Sequence, residues 1–208
     1  MAIMNVIKLS ELEGARRIDA EYYNPEYSII KEKIFKKNFV HFKNLVKDII
    51  HPTEIKREYE ENEENKDYLF LLAQNIKPLI LDLSEKKFIS KEKVKLILKN
   101  IINKGDILFV RSGNVGDIFI YTGEPKKVIA SADLLVAKVK FDYPYYICVF
   151  LNTTLGQKIL LRGIYSGLQP HIAPNYIKTI PIPILSIEIM SEIEKKFLEA
   201  QELLKDSQ

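Results

Sequence analysis

Between residues 103 and 140 the chain repeatedly builds a short apolar run and then breaks it with glycine, asparagine or proline. This pattern limits the fold more than any other feature. Ile107–Arg111 follows the turn Asn103-Lys104-Gly105-Asp106. Ser112-Gly113-Asn114-Val115-Gly116 then turns the chain into Ile118–Thr122, and Gly123-Glu124-Pro125 turns it again before Val128–Ala130 and Leu134–Lys140. Short runs rich in β-branched and aromatic residues and bounded by turn formers read as strands. Upstream, Tyr68–Leu72 reads the same way, and Lys87–Ser90 reads as a shorter strand whose Ser90 caps a brief helical turn. Many short strands joined by tight turns specify a compact β core, mixed or antiparallel.

Around that core the apolar period changes. Tyr27, Ile30, Ile34 and Phe35 space an amphipathic helix over 25–37, opened by the turn Asn24-Pro25. Val6 to Glu13 reads as a short strand or turn, and Phe42–Ile50 as a short helix or strand that Pro52 stops. Glu54–Lys66 lacks apolar periodicity and reads as an exposed acidic loop. Pro144–Leu160 is helical, with Asn152-Thr153-Thr154 a point of division into two helices, and Gly163–Pro174 reads as a polar loop. Ile180-Pro181-Ile182-Pro183 must be extended, because each proline pushes its predecessor out of the helical region. Ser186–Gln208 is helical. Within it Met190, Ile193, Phe197, Ala200 and Leu204 step by three, four, three and four, the spacing of a coiled-coil seam. At about two heptads this helix is too short to stand alone and needs a partner helix or the body of the domain. The fold class read from these elements is α/β in the α+β sense. A mixed, mostly antiparallel β core with flanking helices fills residues 1–184, and a C-terminal helix fills 185–208.

Composition excludes several classes. The 208 residues, 47% hydrophobic and 28% charged, suit an ordinary soluble globular chain. No apolar run approaches the roughly 18–20 residues of a membrane span, and Met1–Ser10 lacks the pattern of a secretory signal. The one cysteine, Cys148, sits in the apolar run Tyr145–Leu151 and reads as a buried, inert thiol. A lone cysteine forms no internal disulfide framework, and its absence of partners points to the cytoplasm. Net charge is only +3, so its distribution matters more than its sum. Acidic residues crowd 54–67. Lys86, Lys87, Lys91, Lys93, Lys95, Lys99 and Lys104 crowd the next stretch, a solvated face or a stripe suited to a phosphate backbone.

Catalytic patterns are missing. Asn24-Pro25-Glu26-Tyr27 is superficially similar to the Asn/Asp-Pro-Pro-Tyr signature of amino-methyltransferases, but glutamate replaces the second proline. Asp19–Tyr23 before it is not an apolar strand, and no glycine-rich loop follows an N-terminal strand to hold S-adenosylmethionine. Ser112–Gly116 lacks the Gly-Lys-Ser/Thr end of a nucleotide-binding loop, so its glycines read as a tight turn needing positive φ. His41, His51 and His171 show no metal-ligand spacing. Three polar loops remain: Gln74-Asn75 with Lys77, Arg111-Ser112-Gly113-Asn114, and Tyr165–His171. Arginine, asparagine and glutamine read base edges through paired hydrogen bonds, while hydroxyls, backbone N–H groups and lysines suit phosphates.

Several segments together resemble the specificity subunits of type I restriction-modification systems. Arg16–Tyr27 is similar to their opening segment, and Gly105–Gly116 to a central strand ending in Arg-Ser/Thr-Gly. Ala130–Leu135 matches the next strand entry, and Phe150–Gln157 the helix that follows. Ser166–Ile172 and Ile177–Pro183 resemble the closing loop and the exit into a long helix. The order and spacing of these pieces over nearly the whole chain carry the match. The resemblance implies a target-recognition domain that reads half of a bipartite duplex DNA site, followed by a conserved spacer helix. For such recognition the candidate DNA contacts, chosen by the hydrogen-bonding chemistry of the polar loops, are Gln74, Asn75, Lys77, Arg111, Ser112, Asn114, Tyr165, Ser166, Gln169 and His171. In a second, compatible reading the chain is a protein-interaction scaffold, with partner contacts at Tyr22, Tyr23 and Tyr27 and at Met190, Ile193, Phe197, Ala200 and Leu204 along the helix. The methyltransferase and restriction subunits would dock on this scaffold and bring S-adenosylmethionine and ATP with magnesium. The chain itself would contribute recognition, with no cofactor, no metal and no catalysis of its own.

The sequence departs from the family in holding one recognition domain and one helix where the usual subunit holds two of each. A half-subunit that dimerises through the helix, a truncated chain, and the specificity module of a larger single-chain restriction-methyltransferase all remain open. The start at Met1 and the end in a helix fit the first two better. A methyltransferase-like enzyme is the remaining alternative.

Overall fold

β7 (Ile107–Val110) is buried at every position. Side chains alternate between the two faces of a strand, so an unbroken apolar run needs cover on both sides. The structure, a computed structural model, supplies it. The residues described are 6–11, 19, 22–36, 38–61, 64, 66–165 and 170–206. β7 lies inside an antiparallel four-stranded sheet of order β2–β10–β7–β8, with β2 (Val46–Ile50), β8 (Ile118–Ile120) and β10 (Leu134–Val139). Ile107 and Phe109 face one core with Ile118, Ile120, Leu135 and Ala137. Leu108 and Val110 face another with Phe119, Leu134 and Val136.

Helices cover the first face: α1 (Pro25–Phe35), α3 (Pro144–Asn152), α4 (Thr154–Arg162) and α6 (Ile187–Asp206). The second face is covered by a three-stranded sheet of order β6–β3–β9, from β3 (Tyr68–Leu71), β6 (Phe88–Ile89) and β9 (Val128–Ala130). β3 pairs β9 in parallel and β6 antiparallel, so the β core is mixed and mostly antiparallel, as the spacing of the runs predicts. The far side of this small sheet packs against α2 (Lys91–Lys95) through Phe70, Ile89, Val94 and Ile97. β4 (Ile76–Lys77) and β5 (Ile80–Leu81) form a short hairpin, and β1 (Phe39–His41) pairs antiparallel with β13 (Pro181–Pro183). The two prolines of β13 fit a strand that has one neighbour.

Three expectations change. The acidic stretch has no α-helix or strand where described, but Ile55 and Tyr59 dock on the α2 core and Glu60 N–H donates to Phe88 O at 2.9 Å. The loop read over 163–174 contains a hairpin, β11 (Ile164–Tyr165) with β12 (His171–Ile172), followed by α5 (Pro174–Ile177). The helical seam is a docking face. Met190 and Phe197 are buried in the main core, Ile193 packs on it, and Phe197 stacks on Tyr145 with ring centroids 5.4 Å apart. Their apolar contact is made within this chain's own core. Ala200 and Leu204 are exposed, Leu204 at the rim of a groove of about 340 Å³ with Ile80, Leu81 and Leu83.

Polar groups lock the elements. Glu194 of α6 accepts from the N–H groups of Tyr145 (2.8 Å) and Tyr146 (3.3 Å), which satisfies otherwise orphaned donors in the first turn of α3. Thr153 caps α4 by accepting from Gly156 N–H at 3.1 Å. Asp106, buried at the entry to β7, accepts from Asn103 N–H at 2.7 Å and pairs with Lys138 of β10. Burial holds its carboxyl above the usual range, while the Lys138 ammonium and the Asn103 N–H pull it back. Cys148 is a free, buried thiol whose pKa burial pushes up, and no helix among the described residues is long and apolar enough to cross a membrane.

Candidate nucleic-acid interface

The β7–β8 connection is built to hold Arg111, Ser112 and Asn114 in one place. Gly113 (φ +94°) and Gly116 (φ +118°) occupy the left-handed half of backbone space that side chains avoid. A Cβ on Gly116 would also stand 2.9 Å from Leu161 Cδ2. Gln157 of α4 donates to Gly116 O at 2.8 Å, which pins the far side of the turn to the helical layer. On the near side, the N–H groups of Arg111 and Ser112 both donate to Asp133 O, at 2.8 and 3.3 Å. The turn between β9 and β10 therefore supports the loop after β7.

The β11–β12 hairpin joins this loop directly. Ser112 and His171 form an antiparallel backbone bridge, and Ser112 Oγ lies 3.1 Å from His171 Nδ1. Arg111 Nη1 reaches Ser112 Oγ at 3.5 Å. Tyr165 pairs with His171 across the hairpin by backbone. Arg111, Ser112, Tyr165 and His171, separated by up to 60 positions in sequence, are thus brought together. Asn114 stands exposed on the same loop and hydrogen-bonds Asp117. Partial burial raises the Asp117 carboxyl, and the charge of Lys77 on β4 lowers it.

The remaining sequence-predicted contacts divide. Asn75 is corrected: it is 4% exposed, and its amide is consumed by Leu72 N–H (2.9 Å), Asp82 O (2.9 Å) and Glu85 O (3.1 Å). It shapes the 72–85 segment and offers no free edge to a base. Gln74 is exposed and donates to Glu85 Oε2 at 3.0 Å. Ser166 and Gln169 lie outside the described residues. Tyr22 is corrected as a partner contact, being 3% exposed under the Arg162 guanidinium, which lies 4.0 Å from its ring centroid. Tyr23 and Tyr27 are half-buried beside it, Tyr23 edge-on to Tyr22 and Tyr27 with its ring centroid 5.8 Å from Arg162.

Sequence reasoning missed Arg57, Asp133 and His51. Arg57 Nη2 pairs with Asp133 Oδ2 at 2.5 Å, and His51 Nε2 lies 3.2 Å from Ala132 O. Both contacts bridge more than 70 positions, so no local pattern announces them. The acidic segment also reaches the lysine run: Lys93 Nζ pairs with Glu60 at 3.2 Å and donates to Glu58 O at 2.8 Å, and Lys87 lies over the Tyr59 ring. The contacts around Ser112 therefore link Arg111, Arg57 and two imidazoles through the turn that holds Ala132 and Asp133. Such a set donates hydrogen bonds to base edges and phosphates. Among the described residues no group of His, Cys, Asp and Glu is placed to hold a metal ion.

No protein-family model and no curated protein matches the sequence. Solved structures do match in fold. A type IIG restriction endonuclease, BpuSI, aligns over 93% of this chain with a TM-score of 0.63 and 12% identity. The S subunit of a type I restriction-modification system from M. genitalium aligns over 82% with a TM-score of 0.55 and 12% identity. The HsdS subunit from Thermoanaerobacter tengcongensis aligns over 95% with a TM-score of 0.52 and 13% identity. This chain spans 30%, 41% and 48% of the length of those three chains. The chain therefore has the fold of type I restriction-modification S subunits and of a part of a type IIG restriction endonuclease.

Proposed function

We propose that this chain is a DNA sequence-recognition module of a restriction-modification system, and that the Arg111–His171 cluster is its base-reading edge. The observation that carries the proposal is the Ser112–His171 bridge. It fuses two loops into one polar rim on a sheet buried on both faces, with Arg111 and Asn114 beside it. Base reading requires donors held rigidly at the tip of a scaffold, because a loosely held side chain loses the geometric selectivity of paired hydrogen bonds. The fold shared with S subunits supports the same reading.

In this proposal the chain binds one half of a bipartite duplex site. Methyltransferase and restriction subunits dock on it, carrying S-adenosylmethionine and ATP with magnesium, and this chain performs no chemistry. A second copy pairs through exposed residues of α6. A second reading, favoured by the TM-score of 0.63 against the type IIG endonuclease, makes the chain the recognition part of a larger single-chain restriction-methyltransferase. Both readings require the same rim.

The test is selection of bound duplexes from a random pool, followed by binding of the enriched site. Arg111→Ala should relax discrimination at one base position by roughly 1–3 kcal/mol. An equal loss on every sequence would move Arg111 to the phosphates, and enrichment of no sequence at all would sink the proposal.

A further inference from the structure

Leu96 and Leu98 are 85% and 62% exposed, two positions apart on the surface of the small-sheet side of the domain. They are not on a loose loop. Residues 90–100 run through α2 and a 3₁₀ turn (Leu98–Asn100), with Leu96 N–H bonded to Lys93 O and Ile97 N–H to Val94 O. Val94 and Ile97 are buried on either side of Leu96. Asn100, wholly buried, ties the base of the turn with its side chain to Thr53 N–H, Thr53 O and Ala130 O at 2.8, 2.8 and 3.1 Å. The result is a rigid knuckle with two leucines at its tip and the exposed lysines Lys91, Lys95 and Lys99 around them.

We propose that this knuckle is a second duplex-DNA contact, separate from the base-reading rim, in which the leucines wedge against a base step while the lysines meet the flanking phosphates. The inference rests on the DNA-recognition reading above. Charge selects the partner: Lys91, Lys93, Lys95, Lys99 and Lys104 outnumber the carboxylates placed against this segment, which are Glu92 3.9 Å from Lys95, Glu60 3.2 Å from Lys93, and Asp67, which accepts from the Lys91 N–H at 2.9 Å. Apolar wedges framed by cations are a recurrent way to unstack and kink a duplex. A protein interface is disfavoured because two leucines cover far less than the roughly 800 Å² per partner that a stable one buries. Continuity points the same way. Asn100 holds Ala130 O, at the entrance to the turn whose Asp133 O carries the N–H groups of Arg111 and Ser112. Knuckle and rim are therefore braced by one turn.

The test uses the full chain and a mixed-sequence 30-base-pair duplex labelled at both ends, titrated across a range of salt. Leu96→Ser with Leu98→Ser changes exposed side chains only and should leave the thermal midpoint intact. It should weaken binding roughly tenfold, the equivalent of one leucine left in water, and abolish any end-to-end energy-transfer change that the wild type induces. Lys91, Lys95 and Lys99 changed together to Gln should lower the slope of log affinity against log salt by about 2–3. Leucine variants that bind and bend DNA like the wild type, while Arg111→Ala still weakens binding, would overturn the wedge and leave the rim standing. The same DNA result with a shift from an associated species to a single chain would assign the knuckle to a protein contact and overturn it equally. A wild type that binds no duplex would end both proposals.

Discussion

Asp106 and Lys138 are the most consequential pair outside the rim. The Asp106 carboxylate closes the Asn103–Asp106 turn and meets the Lys138 ammonium on the neighbouring strand, where Lys138 also donates to Ile101 O at 2.8 Å. Removing one partner of a buried pair leaves the other charge without compensation. Asp106→Ala is expected to cost about 3 kcal/mol in urea unfolding, and Lys138→Met in the same background should recover part of the loss by removing the stranded charge. A cost within about 0.5 kcal/mol would mean that the pair contributes nothing net. The sequence shows Gly105-Asp106 as a turn ahead of a strand, but the partner 32 positions away is visible only in the fold. Asn75 is the converse case. Its residue type suits base reading, and burial with three hydrogen bonds assigns it to structure instead.

Among the elements, α6 is the one whose role the tertiary structure redefines. Its three-four spacing is legible in the sequence, and helix α6 follows it. The same spacing serves a coiled coil and a helix docked on a domain, because both bury one stripe. Met190, Ile193 and Phe197 enter the main core, and Glu194 between them caps α3. Glu194→Ala should cost about 1 kcal/mol, the usual loss on removing an N-terminal helix cap. Glu194→Gln keeps an acceptor oxygen and removes the charge. Partial burial raises the Glu194 carboxyl, with the two N–H bonds pulling it back. The folded state therefore holds a proton that the unfolded chain releases, and this contribution to stability is full below the ordinary carboxylate range and is lost as pH rises through the raised value. The stability advantage of wild type over Glu194→Gln should accordingly shrink from about pH 4 to pH 7 in denaturant titrations. An advantage that grows over that interval would contradict the burial assignment. The hairpin β11–β12 was illegible for a different reason: each strand has two residues, too few for any period to register.

At the scale of the whole molecule, the question is what completes the site. The chain spans 30–50% of four solved chains it matches, and a two-fold pair would supply a second rim for an inverted half-site. Ile187 (62%), Leu198 (38%) and Leu203 (71%) on α6 are exposed, and such a pair would cover them. Under that proposal, light scattering at tens of micromolar should report twice the 24.1 kDa chain mass, and Leu198→Glu with Leu203→Glu should return it to one chain. A single-chain mass for the wild type would sink the homodimer and favour the module of a larger enzyme.

The sequence by itself determined the strand runs, the division at Asn152–Thr154, the extended Ile180–Pro183 exit and the C-terminal helix. These follow from side-chain period, glycine and proline, which act within a few residues of where they stand. It also singled out Arg111, Ser112, Asn114 and His171 by residue type. Only the tertiary structure decided that Ser112 meets His171, that Arg57 is held by Asp133, and that Met190, Ile193 and Phe197 of the helical stripe pack into the main core. Those outcomes depend on which distant surfaces pack and which polar groups are left for water. Packing is a property of the assembled core, and no window of the chain contains it.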